Sequence, residues 1–315
     1  MTKLDKPIFN RLALIGTGLI GGSIARAASA QGAVGSIVAT ARSPATRKRV
    51  AELGIADQVV ETNAAAVEGA DLVIVCIPVG ASGAVAQEIG PHLAQGATVS
   101  DVGSVKEAVM RDMAPHLPAG VHFVPAHPVA GTENSGPDSG FAELFVNRWC
   151  ILTPPENADD AAVDRLARLW TALGANVETM SAEHHDLVLG ITSHLPHLIA
   201  YTIVGTADEL SEVTRSEVLK FSAGGFRDFT RIAASDPTMW RDVFLANKDA
   251  VLEMLGRFNE DLSALTRAMR SGDGETLFNQ FTRTRAIRRG IVEIGQDSAA
   301  ADFGRPHANL TKKAE

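Results

Sequence analysis

The chain has 315 residues, enough for two domains of ordinary size, and its hydrophobic fraction of 45% supports buried cores. A net charge of −8 gives no basic footprint for nucleic acid or an anionic membrane surface, because both depend on clustered Lys and Arg. The first residues do not resemble a signal peptide, and Cys76 and Cys150 lack a metal-ligand spacing, so we expect a cytoplasmic protein.

The first half of the chain alternates short apolar runs with helical patterns. Runs of this kind predict an α/β fold with a doubly wound parallel sheet, covered by helices on both faces. The predicted strands are Leu12–Ile15, Ser36–Ala41, Leu72–Ile77, Thr98–Asp101, His122–Pro125, Cys150–Thr153 and Asn176–Thr179.

The first apolar strand runs directly into G-x-G-x-x-G and an Ala-rich helix. Gly16 permits the tight turn, Gly18 lets the backbone approach a pyrophosphate, and Gly21 allows close helix packing. We therefore expect a dinucleotide site, although a purely structural glycine turn is the alternative. The residues assigned to it here are Gly16, Gly18, Leu19, Ile20 and Gly21.

The end of the second predicted strand bears on the choice of dinucleotide. An NAD site usually carries an acid there for the ribose 2′-hydroxyl, but Ala41 occupies that place. Arg42 and Ser43 offer a guanidinium and a hydroxyl to a 2′-phosphate, which favours NADP over NAD. The alternative is that Arg42 is a solvated loop charge and that the protein uses either cofactor.

Two further strand ends carry candidate site residues. Ile77 and Pro78 form a turn that should lie against the cofactor, and Ser104 follows the strand that ends at Asp101. Ser104 either faces the nicotinamide or caps the helix that begins near Val105.

His127 lies where a short apolar strand runs into a Gly-containing loop. Ligands of open α/β sheets bind at the carboxyl ends of the strands, and histidine exchanges protons near neutral pH. His127 is therefore a candidate acid or base, with a hydrogen-bonded structural histidine as the alternative.

The second half is predicted to be helical, with long patterns over His185–Val204, Met239–Arg270 and Gly274–Gly295. We predict a dinucleotide-binding domain over residues 1–180, a helical substrate and dimerisation domain over 181–298, and a flexible tail over 299–315. A single monomeric helical bundle is the alternative to a homodimer.

Five motifs in one order resemble the prephenate and arogenate dehydrogenases of tyrosine biosynthesis, and the likeness covers nearly the whole chain. The motifs are GTGLIGGS, DVGSVK, HPVAGTENSG, Ser193–His197 and Gly224–Arg231. The resemblance implies a Rossmann domain, a helical dimer domain and an active site in the cleft between them. It also implies oxidative decarboxylation of a cyclohexadienyl substrate with hydride transfer to a nicotinamide.

The same resemblance assigns roles to residues. His127 becomes the base for the C4 hydroxyl, Ser104 a hydrogen-bonding partner of that hydroxyl, and Arg231 the anchor for the ring carboxylate. His197 would contact the substrate side chain and His194 would line the site. Further substrate contacts are assigned to Thr132, Glu133 and Arg227, each of which could instead be a loop cap or a surface charge.

Several alternatives remain at this point. A metal site at His185, His194 and His197 is disfavoured, because no carboxylate completes an evident ligand set and hydride transfer needs no metal. A β-hydroxyacid dehydrogenase would carry a lysine on the first long helix of the second domain, and no lysine lies between Lys106 and Lys220. A dinucleotide-sensing regulatory protein without turnover, the choice between prephenate and arogenate, and inhibition by tyrosine all stay open.

Overall fold

The structure is a computed structural model that describes residues 3–132, 134–209, 217, 220–221 and 224–293. The chain divides into two compact units between Met254 and Leu255. This division reflects contacts within the chain. The boundary predicted after residue 180 separates two functional domains, and it stays a prediction. The predicted tail over 299–315 and the candidate Glu133 lie outside the described residues.

Six parallel strands form the main sheet of the first unit, in the order β3-β2-β1-β4-β5-β6. Strand order reverses between β1 and β4, which is the place where doubly wound sheets open a crevice for a dinucleotide. The predicted parallel sheet is confirmed, but two runs assigned to it are placed wrongly, because Cys150–Thr153 and Asn176–Thr179 contribute to a separate sheet. The strands of the main sheet are β1 (Phe9–Ile15), β2 (Val34–Thr40), β3 (Gln58–Val59), β4 (Leu72–Val75), β5 (Thr98–Asp101) and β6 (His122–Phe123).

Helices cover both faces of this sheet. Leu12 and Leu14 of β1 pack into one hydrophobic core, whereas Ala13 and Ile15 pack into a second core on the opposite face. Side chains alternate between faces along a strand, so a strand buried on both sides must be apolar throughout. The helices of this region are α1 (Leu19–Gln31), α2 (Pro44–Leu53), α3 (Asn63–Val67), α4 (Ser82–Ile89), α5 (Lys106–Met113) and α6 (Asp160–Ala172).

A second, three-stranded sheet changes the predicted position of His127. The strands β7 (Ala126–Pro128) and β8 (Trp149–Leu152) pair antiparallel, and β9 (Asn176–Thr179) pairs parallel with β8. The predicted run His122–Pro125 ends its pairing at Phe123, and the chain then joins this second sheet. His127 therefore lies inside β7, opposite Ile151, and not in the loop that follows a strand.

The glycine turn after β1 is dictated by close packing. Gly16 has a φ of +92°, and a Cβ there would lie 2.3 Å from the carbonyl oxygen of Cys76. A Cβ on Gly21 would lie 2.2 Å from the carbonyl oxygen of Gly16, so helix α1 can approach the turn only through a glycine. Gly18 differs, because a Cβ there would meet no atom within 4 Å.

The helical part of the first unit begins with α7 (Ala182–Leu189), a π-helical turn over Gly190–His194, and α8 (Leu195–Asp208). Within the part of the chain that the structure describes, Ala182–Asp208 is the one helical stretch with the length and composition of a membrane span, a test that core helices also pass. The helices α9 (Gly224–Thr230) and α10 (Pro237–Ala246) follow.

The single helix predicted over Met239–Arg270 is wrong, because the chain breaks between α10 and α11 (Lys248–Ser271). Asn247 stands at the break with φ −110° and ψ 32°. Its buried side chain donates to the carbonyl oxygen of Asp186 and contacts the ring of His194. These two hydrogen bonds stabilise the break. The last helix that the structure describes is α12 (Gly274–Glu293).

A pair of alanine substitutions tests the glycine turn. We expect Gly16→Ala to lower the free energy of unfolding by about 2 kcal/mol or more, because the methyl group meets the Cys76 carbonyl and the positive φ is strained. Gly18→Ala should change it by less than about 0.5 kcal/mol, because its Cβ enters open space. Urea unfolding measures both, and equal losses would contradict this packing.

Candidate active site

The carboxyl edge of the main sheet fits a dinucleotide. The open space over Gly18 leaves the backbone accessible at the N-terminus of α1, where the helix dipole favours a pyrophosphate. Ile77 and Pro78 follow β4, beside β1 in the sheet. The glycine turn and the β4 turn therefore flank the point where strand order reverses.

The loop after β2 presents two of the predicted cofactor residues to solvent. Arg42 and Ser43 are both exposed, and the Ser43 side chain accepts a hydrogen bond from the Thr46 backbone as the cap of α2. Arg47 donates from Nη1 to the carbonyl oxygens of Ala41 and Arg42, at 2.8 and 3.1 Å. These bonds fix the path of the loop and leave the Arg42 side chain exposed at its tip.

Ser104 does not cap helix α5, so that alternative is wrong. The cap position is Val105, and no side chain of the segment itself caps the helix. The carboxylate of Asp186, from helix α7, instead accepts from the backbone N–H of Lys106 at 2.8 Å and of Glu107 at 2.9 Å. A carboxylate at a helix N-terminus satisfies unpaired donors and is favoured by the helix dipole.

A buried ion pair connects the β5 loop to the strand of His127. The Lys106 ammonium lies 2.5 Å from Oδ2 of Asp101, and both side chains are almost fully buried. Lys106 also donates to the Ala126 carbonyl oxygen at 2.7 Å, while Oδ1 of Asp101 accepts from the Ala126 N–H at 3.2 Å. Both backbone groups of Ala126 are thereby held by one ion pair, directly before His127.

Asp101 also forms a hydrogen bond with the backbone of the segment that carries Ser104. Its Oδ2 accepts from the Gly103 N–H at 2.7 Å. A Cβ on Gly103 would lie 3.1 Å from Cγ2 of Val79, so this segment packs directly against the turn after β4. The cofactor edge and the strand of His127 are therefore joined through one carboxylate.

His127 is buried, with 8% of its surface exposed. Its Nδ1 lies 2.8 Å from Nε2 of His185, whose Nδ1 lies 2.7 Å from Oδ1 of Asp186. Burial lowers the pKa of His127 well below its usual value, and the nearby His185, Lys106 and His194 lower it further. The ring is therefore neutral at pH 7 and can accept a proton.

His194 and His197 lie near His127 on the helical side of the site. Nδ1 of His194 accepts from Nδ2 of Asn247 at 3.0 Å, so the neutral ring carries its proton on Nε2. That buried Nε2 makes no hydrogen bond of ordinary geometry within the described residues. Burial lowers the pKa of His194 to about 4, against the opposing effects of Asp186 and the Ser104 backbone.

His197 is half-buried and stacks on Trp240, with ring centroids 3.6 Å apart. Its Nδ1 donates to the Ser193 carbonyl oxygen at 2.8 Å, which leaves Nε2 as an acceptor. Burial lowers the pKa of His197, the Ser193 bond raises it, and the positive charge of Arg231 lowers it. Arg231 is itself half-buried at the start of the turn Arg231–Ala234.

Pairwise interactions connect the predicted site residues in series: His127 interacts with His194, His194 with the Ser104 backbone and His197, and His197 with Arg231. Two other candidates make local contacts of their own. Thr132 accepts from the Asn134 N–H at 3.2 Å, and the Arg227 side chain is 73% exposed and pairs with Asp228. No structural role is assigned to Glu133, which the structure does not describe.

Five residues that contact the candidate site residues or their segments are not singled out by the sequence patterns. Asp101 and Lys106 are the first and last residues of the DVGSVK motif. An acidic and a basic residue at the two ends of an otherwise uncharged motif are the sequence feature that indicates a buried ion pair. Asp186 directly follows His185, a residue that the sequence suggests only as a metal ligand. The residues missed are Asp101, Lys106, Asp186, Trp240 and Asn247.

No metal site is formed by the residues that the structure describes. A search of them finds no group of three His, Cys, Asp or Glu side chains that could hold an ion. His185 is bonded to His127 and Asp186, and His194 to Asn247, so these rings do not converge on one point.

Family models match almost the whole described chain. Residues 24–179 match the model described as prephenate dehydrogenase, nucleotide-binding domain. Residues 181–283 match the model described as prephenate dehydrogenase, dimerization domain.

Individual relatives agree with these models. The cyclohexadienyl dehydrogenase of Zymomonas mobilis is 42% identical over 89% of this chain and 96% of that protein. The prephenate dehydrogenase of Bacillus subtilis is 34% identical over 88% of this chain and 75% of that protein. The crystal structure of prephenate dehydrogenase from Aquifex aeolicus, in complex with hydroxyphenyl propionate and NAD⁺, matches with a TM-score of 0.83. It is 33% identical and covers 90% of this chain and 98% of that one.

The buried ion pair can be tested by the same substitution at two lysines. Lys106→Met should lower the free energy of unfolding by about 3–5 kcal/mol, because it leaves the Asp101 carboxylate buried without its counter-charge. Lys48→Met removes an ion pair to Glu52 whose lysine side chain is 80% exposed, and should change it by less than about 0.5 kcal/mol. Urea unfolding compares the two, and a similar small loss in both would count against the role of Lys106.

Proposed function

Because the chain belongs to the prephenate dehydrogenase family, we propose that it oxidatively decarboxylates prephenate, arogenate or both, with NADP as the preferred cofactor. The products are 4-hydroxyphenylpyruvate from prephenate and tyrosine from arogenate. The observation that carries the proposal is the buried neutral imidazole of His127, which interacts with His194. His194 in turn interacts with the Ser104 backbone and His197, and His197 interacts with Arg231. A base, a hydroxyl and a carboxylate anchor are the groups that this reaction requires.

His127 takes the proton from the C4 hydroxyl of the substrate ring. A neutral imidazole is suited to this step, and its burial keeps the ring unprotonated before substrate binds. When bound, the dinucleotide supplies the hydride acceptor for C4. The ring carboxylate leaves as CO₂, its bonding electrons complete the aromatic ring, and the proton held on His127 returns to the phenolate oxygen.

Ser104 positions the same hydroxyl. Its segment is held by Asp101 and does not use the serine to cap α5. A side chain on a segment fixed in this way can orient a reacting group, and small displacements of such a group are costly. We assign Ser104 to the alignment of C4 with the nicotinamide.

Arg231 anchors the ring carboxylate before it leaves. A guanidinium can hold a carboxylate through two parallel hydrogen bonds, and Arg231 is half-buried beside His197. The free acceptor Nε2 of His197 is available to the substrate side chain, and Nε2 of His194 supplies a buried donor. Thr132, Glu133 and Arg227 are retained as predicted further contacts.

The proposed cofactor contacts follow the carboxyl edge of the main sheet. The pyrophosphate would be held at the N-terminus of α1, and the turn after β4 would lie beside the nicotinamide half. Preference for NADP rests on Arg42 at the tip of a loop that carries no acid. The proposed residues are Gly16, Gly18, Leu19, Ile20, Gly21, Arg42, Ser43, Ile77, Pro78 and Ser104.

We further propose a homodimer, a cytoplasmic location and inhibition by tyrosine in the same cleft. The dimer is supported by the dimerization-domain match and by apolar side chains exposed on the helical elements. Leu245 and Leu252 are 68% and 61% exposed, so each would lose apolar surface to water-free contact if a partner covered it. The domain limits 1–180, 181–298 and 299–315 belong to this proposal.

The two alternative functions lack such support. A β-hydroxyacid dehydrogenase and a regulatory protein without turnover are both less consistent with a chain that matches one dehydrogenase family over residues 24–179 and 181–283. Purified protein should form reduced nicotinamide and CO₂ in equal amounts from prephenate or arogenate. Absence of both products with each substrate, in the presence of NADP and of NAD, would overturn the proposed function.

His127→Asn tests the base. We expect kcat to fall by about 100-fold to 10,000-fold, because the proton acceptor is removed, while the Kd for NADP changes less than about twofold. The matched control is His116→Asn, an exposed histidine that ends a 3-10 turn after α5, which should keep parental kcat. Undiminished turnover by His127→Asn would remove this residue from the mechanism.

Arg231→Ala tests the carboxylate anchor. The KM for the substrate should rise by about 10-fold to 100-fold with a much smaller change in kcat, because an anchor formed before the transition state contributes uniform binding. Arg111→Ala, at a side chain 69% exposed on α5, is the control and should leave KM unchanged. A parental KM in Arg231→Ala would contradict the assignment.

Arg42→Ala tests the cofactor preference. The KM for NADP should rise by about tenfold, the loss expected for one charged hydrogen bond to the 2′-phosphate. The KM for NAD serves as the internal control and should change less than about twofold. Equal effects on both cofactors would mean that Arg42 does not read the phosphate.

A further inference from the structure

Three buried side chains form a line that leads away from His127. Nδ1 of His127 contacts Nε2 of His185 at 2.8 Å, and Nδ1 of His185 contacts Oδ1 of Asp186 at 2.7 Å. His185 and Asp186 are fully or almost fully buried. The first contact joins two ring nitrogens, and the second joins a ring nitrogen to a carboxylate oxygen. Because one atom of each contact must donate a proton, the protons can be assigned in turn, starting from Asp186.

Asp186 fixes the first proton. Its two oxygens already accept from the backbone N–H groups of Lys106 and Glu107, so it serves the N-terminus of α5 as an acceptor. A carboxylate has no hydrogen to donate, and Nδ1 of His185 must therefore carry the proton in this contact. The cap on α5 and the bond to His185 thus require the same ionised state of Asp186.

The remaining protons follow along the line. A neutral imidazole carries one proton, so Nε2 of His185 is a bare acceptor when its Nδ1 is protonated. Nδ1 of His127 must then donate to it. This leaves the lone pair of His127 on Nε2, the nitrogen that is not engaged by His185.

We propose that Asp186, acting through His185, holds His127 in the tautomer whose Nε2 takes the substrate proton. His185 and Asp186 are positioning residues, because neither touches the reacting atoms. The proposal deepens the proposed dehydrogenase function and rests on it. It adds the identity of the accepting nitrogen and the two residues that select it.

The same line supports the charge that forms during the reaction. When the hydroxyl O–H bond breaks and the Nε2–H bond forms, His127 becomes an imidazolium whose Nδ1–H points at His185. His185 is bonded on its far side to a carboxylate, so the developing positive charge is offset through one polarised ring. The nearby Lys106 ammonium repels the positive charge on His127. The Asp186 carboxylate is therefore needed to offset that charge through His185.

Two substitutions at His185 separate the tautomer effect from simple packing. His185→Leu fills space but cannot accept the Nδ1 proton of His127, and we expect kcat to fall by about 100-fold with parental substrate KM and NADP Kd. His185→Gln offers an amide oxygen in place of Nε2 and should retain kcat within about tenfold of the parent. Equal kcat in both variants would overturn the proposal.

The tautomer itself is measured on the parent protein without substrate. In protein labelled with ¹⁵N-histidine, long-range ¹H–¹⁵N NMR should show a protonated Nδ1 and a bare Nε2 for His127, assigned by loss of its signals in His127→Asn. A protonated Nε2 would overturn the inference even if the enzyme turned over prephenate. This readout still decides the matter if His185→Leu does not fold, and lack of turnover by the parent would instead refute the proposed function.

Discussion

The buried ion pair of Lys106 and Asp101 is the interaction on which the site depends. Two charges taken out of water are tolerated only when each is paired and hydrogen-bonded, and here both conditions are met inside the first unit. The partners that satisfy these charges are the backbone groups of Ala126 and Gly103, each one residue before a proposed catalytic side chain. Stability and catalytic geometry therefore depend on the same few bonds, and a change that relaxes the pair also moves His127 and Ser104.

Helix α5 joins this pair to the helical part of the site. Its first residue supplies the buried ammonium, and its N-terminal N–H groups are capped by Asp186 from helix α7. One carboxylate thus closes a helix end and orients His185 towards His127. A serine cap within the segment could have satisfied these donors, but it would not have connected helix α7 to His127.

Sequence patterns predicted what depends on local order, and missed what depends on long-range pairing. The apolar runs of β1 and β4 predicted a parallel sheet, since strands buried on both faces are mostly apolar. The three-residue strand of His127 has no such signal, because it is short and contains a histidine and a proline, which do not form an apolar run. The break at Asn247 was also unpredictable, because it depends on bonds to Asp186 and His194 and not on glycine or proline. Motif resemblance predicts roles for His127, Ser104 and Arg231, whereas the contacts of Asp101, Lys106 and Asp186 are visible only from burial and distances.

Prephenate and arogenate differ in their side chains, and the role proposed for His197 concerns that part of the substrate. Both substrates carry the same ring hydroxyl, and the proposed proton acceptor for it is Nε2 of His127. A crystal structure with NADP and a 4-hydroxyphenyl ligand measures this directly. We predict Nε2 of His127 at about 2.6–3.2 Å from the hydroxyl oxygen, with Arg231 at the opposite end of the ring. A ring hydroxyl that contacts neither Nε2 of His127 nor Ser104 would contradict the proposed mechanism.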